Sequence, residues 1–421
     1  MRGEIIAIGD ELTSGRVMNA TSSFAASRLF SAGYPINRIT TVGDDPKDIQ
    51  EAVTRAMTRS RFVIVTGGLG PTTDDITNET VSVALGIPLV LNEGIQKRIM
   101  AHGKTLGATQ ADMIRKLAYL PEGAQVLDPF GSAAGYALEH GGVSFFFLPG
   151  IPEQMERLLV DAVLPRLHAL VSPDFSVRRR TYRTFGLLET EINAMVGDLA
   201  HGDLITIGYY PVFPEVHVTV TARDHDKRAV DAAFLAACKE TEARLGENIV
   251  ATDDDTLESV VGRLLTERGG LLATAESCTG GLIASRITRV PGSSAWFDRG
   301  VITYSNCSKI QILGVPEEIL ERHGAVSEET AIHMVKGIIR IAHVPFGIAV
   351  TGIAGPSGGT EEKPVGTVHI ALATPDWTAS HRFRFSGTRS MIQESTAETA
   401  LDWLRRTLQY GTRLPCDRSA R

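Results

Sequence analysis

Residues 61–77 read RFVIVTGGLGPTTDDIT. The run from Arg61 to Val65 is short and apolar, the texture of a buried strand, and Gly67-Gly68-Leu69-Gly70-Pro71-Thr72 follows it directly. Working back, Ile49, Ala52, Val53, Ala56 and Met57 recur at i, i+3, i+4, i+7 and i+8, which is one face of a helix. Earlier still, Glu4 to Ile8 is a second strand-like run, and it too ends in a glycine segment, Gly9-Asp10-Glu11. Strand, helix, strand in this order implies right-handed crossovers and predicts a mostly parallel, doubly wound sheet, an α/β domain over residues 1–170. Ligands of such sheets bind at the carboxyl ends of the strands, where both glycine segments lie.

Downstream the texture changes near Pro173. Arg178, Arg179 and Arg180 form a basic run, a helix-like LLETEINAMVGDL follows, and DLITIGYYPV and EVHVTVTAR then alternate like antiparallel strands with one solvated face. With the alanine-rich helix from Ala229 to Leu245 these make a small α+β domain over residues 171–252, expected to connect or to dimerise. Asp253-Asp254-Asp255 opens a third unit, residues 253–412. Its helix Leu257 to Arg268 ends at Gly269-Gly270, and strand LLATAE, a helix from Thr279 and strand VITYS come next. Helix SEETAIHMVKGIIRIAH, strands FGIAVTG, GTVHIALAT and HRFRFS, and a last helix complete a C-terminal α/β sandwich. In that last helix Ile392, Thr396, Thr399, Ala400, Trp403 and Leu404 share a face, and residues 413–421 read as a tail.

The 421 residues are 43% hydrophobic and 22% charged, with a formal net charge of −7. An acidic balance without a basic, aromatic-interleaved face argues against nucleic acid and anionic membrane as partners. No apolar run approaches the roughly 20 residues that cross a bilayer, and MRGEIIAIGDEL carries no signal-peptide stretch, so a cytoplasmic protein is expected. Cys238, Cys278, Cys307 and Cys416 form no C-x-x-C pair and read as free thiols. The histidines form no metal-type cluster, so no zinc site is expected.

The sharpest chemical signal is Thr274-Ala275-Glu276-Ser277-Cys278-Thr279-Gly280-Gly281. A serine between a strand and a helix sits where unpaired amides and the macrodipole favour negative charge. Two roles are open for Ser277: an acyl-transfer nucleophile with donors in place, or a helix cap. A second strand-to-helix junction, Gly300-Val301-Ile302-Thr303-Tyr304-Ser305-Asn306-Cys307-Ser308-Lys309, can lie beside the first in a parallel sheet. Lys309, one turn into its helix, is either a solvated lysine or a desolvated base for Ser277, with Tyr304 as its partner or a core residue. Gly355-Pro356-Ser357-Gly358-Gly359 matches the G-x-S-x-G elbow as a string, but it leads to a strand where the elbow needs a helix.

TAESCTGG, GSSAWFDRGVITYSN with its following lysine, and VTGIAGPSGGTEEKPVGTVHIAL (Val350 to Leu372) together resemble the PncC-type amidohydrolase domain that closes proteins of the CinA family. The resemblance implies hydrolysis of the carboxamide of nicotinamide mononucleotide to nicotinic acid mononucleotide and ammonia, without a cofactor. It implies Ser277 as nucleophile, Lys309 as general base, Tyr304 as its partner, and backbone donors from Thr279, Gly280 and Gly281. Asn306, Gly352, Gly355, Gly358 and Arg389 would then meet the nucleotide, the glycine loop and Arg389 at its phosphate. Gly387-Thr388-Arg389 stands where the family shows Gly-Asp-Arg, and Gln393 where a second basic residue is common.

Gly9-Asp10-Glu11-Leu12 with Gly15 and Asn19, then TTVGDD (Thr40 to Asp45) and GGLGPTTDDIT, resemble the molybdopterin-binding fold of MoaB and MogA, which opens proteins of the CinA family. Lys116-Leu117-Ala118, Pro121 to Ala124, Gly131 to Gly135 and Leu148 to Glu153 extend the likeness. Here it implies a nucleotide site at Gly9, Asp10, Glu11, Asn19, Gly67, Gly68, Gly70, Thr72 and Asp74. A magnesium-like divalent metal at Asp10 and Asp75 would serve an ADP-ribose pyrophosphatase. Physically, glycine amides can close on a pyrophosphate, and carboxylates with phosphate oxygens can hold such an ion; Asp75 as a helix cap and Asp74 in solvent is the plainer alternative. Two salvage hydrolases in one homodimeric protein are thus expected, against a non-catalytic molybdopterin-like or competence-related binding protein, or a DNA-associated factor that the acidic charge disfavours.

Overall fold

Strand β1 (Gly3–Ile8), buried at every position, runs between β2 (Ile36–Val42) and β3 (Phe62–Thr66), parallel to both, in the computed structural model. Three more strands complete the sheet: β4 (Gln125–Val126), β5 (Tyr136–His140) and β6 (Val143–Leu148), in the order β2-β1-β3-β6-β5-β4. β6 is parallel to β3, and β5 and β4 are antiparallel additions at the edge. Alternation sorts the side chains to two cores. Ile5, Phe62 and Ile64 meet helix α1 (Ala20–Ser31) and the helical run from Pro152. Ile6, Ile8, Val63 and Val65 meet α2 (Pro46–Met57) and α3 (Thr77–Leu85). Helices on both faces of a mostly parallel sheet are the doubly wound arrangement the sequence predicts.

The structure describes residues 3–102, 116–128, 135–170, 173 and 175–415. Gly131 to Ala134 and Cys416, named above, lie outside them. The chain divides into two units, residues 1–178 with 222–232 and residues 179–221 with 233–421, so most of the middle segment belongs with the C-terminal one. That segment is β7 (Ser176–Thr184), α4 (Glu189–Val196), β8 (Ile205–Val212), β9 (Glu215–Asp224), α5 (Lys227–Leu245) and β10 (Ile249–Thr252), with sheet order β8-β9-β7-β10.

The C-terminal sheet follows α6 (Leu257–Glu267). Strand β11 (Leu272–Glu276) lies parallel to β12 (Phe297–Ile302) and to β13 (Phe346–Gly352); β14 (Thr367–Ala373) and β15 (Thr378–Arg384) are antiparallel additions, giving β12-β11-β13-β14-β15. Its helices are α7 (Leu282–Thr288), α8 (Asn306–Leu313), α9 (Glu317–His323), α10 (Glu328–Ala342) and α11 (Arg389–Tyr410). One face packs Leu272, Ile348, Val350 and Val368 against α6, α7 and α11; the other packs Ala273, Ala275, Ala349 and Ala371 against the end of α8 and against α10. α11 is buried beyond the predicted stripe. Glu398, Asp402 and Arg405 are enclosed as well, because the middle segment covers its outer side, with Arg405 donating to the Glu247 carbonyl at 2.6 Å and Arg406 to the Glu247 carboxylate at 3.0 Å. Among the described residues no helix is long and apolar enough to cross a membrane.

Candidate functional site

Ser277 leaves the end of β11 with its amide still donating to Val350 O, and it is buried. Alternation carries its Oγ to the α8 face of the sheet, where Lys309 stands on the first turn of α8. That turn is fixed by Ser305, whose hydroxyl accepts from Ser308 N at 3.1 Å. The Lys309 side chain is 1% exposed. Its Nζ lies 3.0 Å from Ser277 Oγ, 2.7 Å from Thr303 O and 3.4 Å from Tyr304 O. Among the described residues no carboxylate pairs with it. Burial therefore lowers its pKa below the ordinary lysine value, against a small opposing contribution from Cys278. The three acceptors also orient it: when one proton is lost, two N–H bonds remain on the carbonyls and the lone pair faces Ser277. Cys278 is not a competing nucleophile, since burial pushes its thiol up to about 12.

The helix expected from Thr279 begins instead at Leu282, after a turn in which Gly280 (φ 64°) and Gly281 (φ 98°) take left-handed conformations. The cause is Glu276. Its buried carboxylate accepts from Thr279 Oγ1 (2.7 Å), Gly281 N (3.0 Å), Ile283 N (3.1 Å) and Ala284 N (2.9 Å). The negative charge thus fills the N-terminus of α7, the place expected to serve the reaction. Gly280 N is likewise engaged, with Ser277 O. Gly280 and Gly281 are therefore corrected as donors. Among the described residues, the amides of Cys278 and Thr279 have no protein acceptor and remain at the nucleophile.

Tyr304 is also corrected. Its side chain is 62% exposed, and only its backbone carbonyl meets Lys309. The phenol instead accepts from Arg389 Nη2 at 2.8 Å, while Arg389 Nη1 donates to Gly355 O at 2.8 Å. Both partners are uncharged acceptors, and among the described residues no carboxylate pairs with the guanidinium. The loop from Gly352 closes through a cis Gly355–Pro356 bond and Gly358 (φ 90°), and among the described residues the amides of Gly355, Ser357, Gly358 and Gly359 donate to no protein acceptor. It runs from β13 to β14 with no helix, which removes the elbow reading. Asn306 is exposed at the start of α8. Thr388 caps α11 by accepting from Met391 N at 3.3 Å, a role an aspartate shares, so the departure loses a charge and keeps a cap. Gln393, unassigned in the sequence, donates from Nε2 to Cys278 O at 2.8 Å.

At the N-terminal sheet, the ends of β1, β2 and β3 gather carboxylates. Asp10 N donates to Asp44 Oδ2 at 2.9 Å and Asp44 N to Asp10 Oδ1 at 3.1 Å. Burial, with Asp10, Glu11 and Asp74 nearby, raises Asp44 above the usual carboxylate range although Asp10 N opposes it. Asp44 stood unmarked within TTVGDD. Asp74, hydrogen-bonded to Thr72 and near Lys116, is held low. Gly9 N and Gly67 N are engaged by Val42 O and Leu148 O, continuing the sheet; among the described residues the amides of Gly68, Leu69 and Gly70 have no protein acceptor. A side chain at Gly67 would strike Ile8 O at 2.1 Å. Asn19 caps α1, accepting from Ser22 N at 3.1 Å. Asp75 turns into its own loop, where Oδ2 accepts from Thr72 N at 2.9 Å and from the Thr72 hydroxyl. It therefore does not cap α3, and of the two expected metal ligands, Asp10 and Asp75, the latter has its Oδ2 engaged within the loop. Among the described residues no three His, Cys, Asp or Glu side chains are disposed to hold a metal ion.

Three family models match the chain: a probable molybdopterin binding domain over residues 4–169, a damage-inducible protein CinA KH domain over 179–251, and a CinA C-terminal domain over 254–408. A CinA-like protein of Desulfotalea psychrophila is 48% identical over 408 residues, covering 96% of this chain and 98% of its own. A putative competence-damage inducible protein of Caldanaerobacter subterraneus is 39% identical over 97% and 99%. The crystal structure of competence/damage inducible protein CihA from Agrobacterium tumefaciens matches 35% of this chain and 93% of its own at 44% identity, with a TM-score of 0.34. The KH match names a fold for the segment expected to connect or to dimerise. KH domains clamp nucleic acid with a G-x-x-G loop. The glycines of this segment, Gly186, Gly197, Gly202, Gly208 and Gly246, provide no such spacing.

Proposed function

The chain belongs to the CinA family, and from that premise we propose that its C-terminal domain hydrolyses the carboxamide of nicotinamide mononucleotide through Ser277 and Lys309. One observation carries the reading: a buried lysine, with no carboxylate partner among the described residues, stands 3.0 Å from a buried serine hydroxyl. Serine is a weak nucleophile until a base takes its proton, and a lysine held out of water can be that base near neutral pH. Ser277 Oγ attacks the amide carbon as Lys309 Nζ takes the hydroxyl proton. The oxyanion meets the Cys278 and Thr279 amides, donors that need no reorganisation. Collapse breaks the C–N bond, and Lys309 returns its proton to the departing ammonia. Water, activated by the same lysine, then cleaves the acyl-serine to give the acid. The substrate itself follows from the motif resemblance, and Arg389, paired with no carboxylate among the described residues, suits its phosphate together with the open amides of the Gly352 loop.

The test is release of ammonia and nicotinic acid mononucleotide from nicotinamide mononucleotide, with EDTA present. Wild type should turn over undiminished by the chelator, and Ser277→Ala should lose roughly 10^4- to 10^6-fold in kcat. A folded wild type without turnover would remove this substrate.

For the N-terminal domain the reading is a diphosphate site, with ADP-ribose as the ligand and pyrophosphatase its proposed use. The open amides of Gly68 to Gly70 favour it. Among the described residues no three side chains form a metal cage. Calorimetry with ADP-ribose, with and without magnesium, tests it: no heat in either would sink the site. An acidic chain whose middle segment has no G-x-x-G spacing does not favour nucleic acid as a partner.

A further inference from the structure

Gln393 lies on the first turns of α11 and its side chain reaches one acceptor, the carbonyl of Cys278. That carbonyl belongs to the peptide whose other half is the amide of Thr279. The bond is trans, because the only cis peptides among the described residues are Phe213–Pro214 and Gly355–Pro356. In a trans peptide the C=O and N–H point to opposite sides of the chain. α11 covers the face of the sheet that bears Leu272 and Val350, whereas Ser277 Oγ meets Lys309 on the opposite face. A carbonyl drawn toward α11 therefore directs the Thr279 amide toward the nucleophile.

We infer that Gln393 is a positioning residue for acyl transfer, holding the Cys278–Thr279 peptide so that Thr279 N–H faces the oxyanion. The inference rests on the amidohydrolase reading above. The clamp matters because this peptide turns about ψ of Cys278 and φ of Thr279, and among the described residues no other protein group bonds the Cys278 carbonyl or the Thr279 amide. Glu276 fixes Gly281 and the Thr279 hydroxyl, but neither bond restrains the Cys278 carbonyl. Rotation would present a carbonyl oxygen to the oxyanion, replacing attraction with repulsion.

Gln393→Leu, Gln393→Glu and Gln393→Arg separate this role from packing. The glutamate is nearly isosteric but cannot donate, and it repels the carbonyl; the arginine keeps a donor. Removing one oxyanion donor typically costs roughly 10^2- to 10^3-fold in kcat, so an unclamped one should cost about tenfold to a hundredfold. Expected are a kcat loss of that size in Gln393→Leu and Gln393→Glu, an unchanged KM, and most of the rate kept in Gln393→Arg. A fluorophosphonate gives a second readout that does not depend on the substrate. Ser277 Oγ forms the O–P bond, fluoride leaves, the proton goes to Lys309, and the phosphonyl oxygen occupies the same donors. Labelling should slow in the same order as kcat. Equal rates in wild type and Gln393→Glu would overturn the clamp, as would parallel losses in all three variants that follow a falling thermal midpoint. A wild type that is neither labelled nor active removes the amidohydrolase reading and the clamp with it; an active, labelled wild type with indifferent variants removes the clamp alone.

Discussion

Two strand-end sites in this chain begin from the same plan and treat charge in opposite ways. At the C-terminal sheet a carboxylate, Glu276, is buried and satisfied by four donors, and a lysine is buried with no carboxylate partner among the described residues. At the N-terminal sheet Asp10, Glu11 and Asp74 crowd around Asp44 near solvent, and burial plus like charge makes Asp44 reluctant to ionise. The first arrangement holds a base ready inside the protein. The second gathers negative charge near solvent, relieved in part by Lys116 beside Asp74. Both end in glycine-rich loops, so the motif strings alone do not distinguish them; which groups are desolvated does.

The largest expected effect falls on Lys309. Lys309→Met and Lys309→Arg should each lower amide hydrolysis by roughly 10^3-fold or more, because neither side chain can take a proton near neutral pH. The rate of wild type should rise with pH as the lysine deprotonates and level off below the pH an unperturbed lysine would require, since its pKa is lowered by burial. Diphosphate binding by the N-terminal domain should be untouched. A Lys309→Arg enzyme of near wild-type rate would break the comparison, because the C-terminal site would then need positive charge and not a base.

The next effect is structural. Glu276→Gln replaces an acceptor-only group with one that must turn an N–H toward amides already pointing at it. Each buried group so stranded costs about 1–3 kcal/mol. The thermal midpoint should fall by several degrees, at about 2–4 °C per kcal/mol for a domain of this size. Asp44→Asn, by contrast, removes a crowded charge and should leave the midpoint equal or higher. If Glu276→Gln were neutral, the carboxylate at the start of α7 would not be what shapes the turn.

A smaller effect lies on α11. Burial pushes Glu398 up to about 8 despite its bond to Arg286. A carboxyl whose folded pKa exceeds its unfolded one stabilises fully below the unfolded value, and that contribution is lost as pH rises through the folded value. Wild type should therefore lose stability from the ordinary carboxylate range up to about pH 8, and Glu398→Gln should flatten this slope. Equal slopes would mean that Glu398 is ionised throughout, held by Arg286.

How much of this was legible follows the same division. Periodicity located helix α2, since Ile49, Val53 and Ala56 are buried as their spacing requires. The meeting of Ser277 and Lys309 was legible too, because two strand-to-helix junctions in a parallel sheet open on one edge. Glu276, Asp44 and Gln393 were not, although the first two sat inside quoted motifs. Their roles depend on where a carboxylate turns, or on a partner 115 positions away in the chain, and residue type does not encode either. Tyr304 was misassigned for the same reason: its carbonyl and its phenol serve different neighbours.

The smallest prediction compares the two sites directly. Asn19 and Thr388, both named from motifs, each act as the N-cap of a helix, accepting from Ser22 N at 3.1 Å and Met391 N at 3.3 Å. Loss of such a cap costs about 1 kcal/mol. Asn19→Ala and Thr388→Ala should therefore lower stability by similar, small amounts. Thr388→Asp should restore the cap, since both side chains can accept from Met391 N. If capping is all that either residue does, ligand affinity should stay constant in both alanine variants once the proteins are folded. A diphosphate affinity that falls in Asn19→Ala beyond the stability change would assign Asn19 to the ligand. Its Nδ2, which donates to Thr41 Oγ1 at 3.2 Å, would then be the atom to suspect.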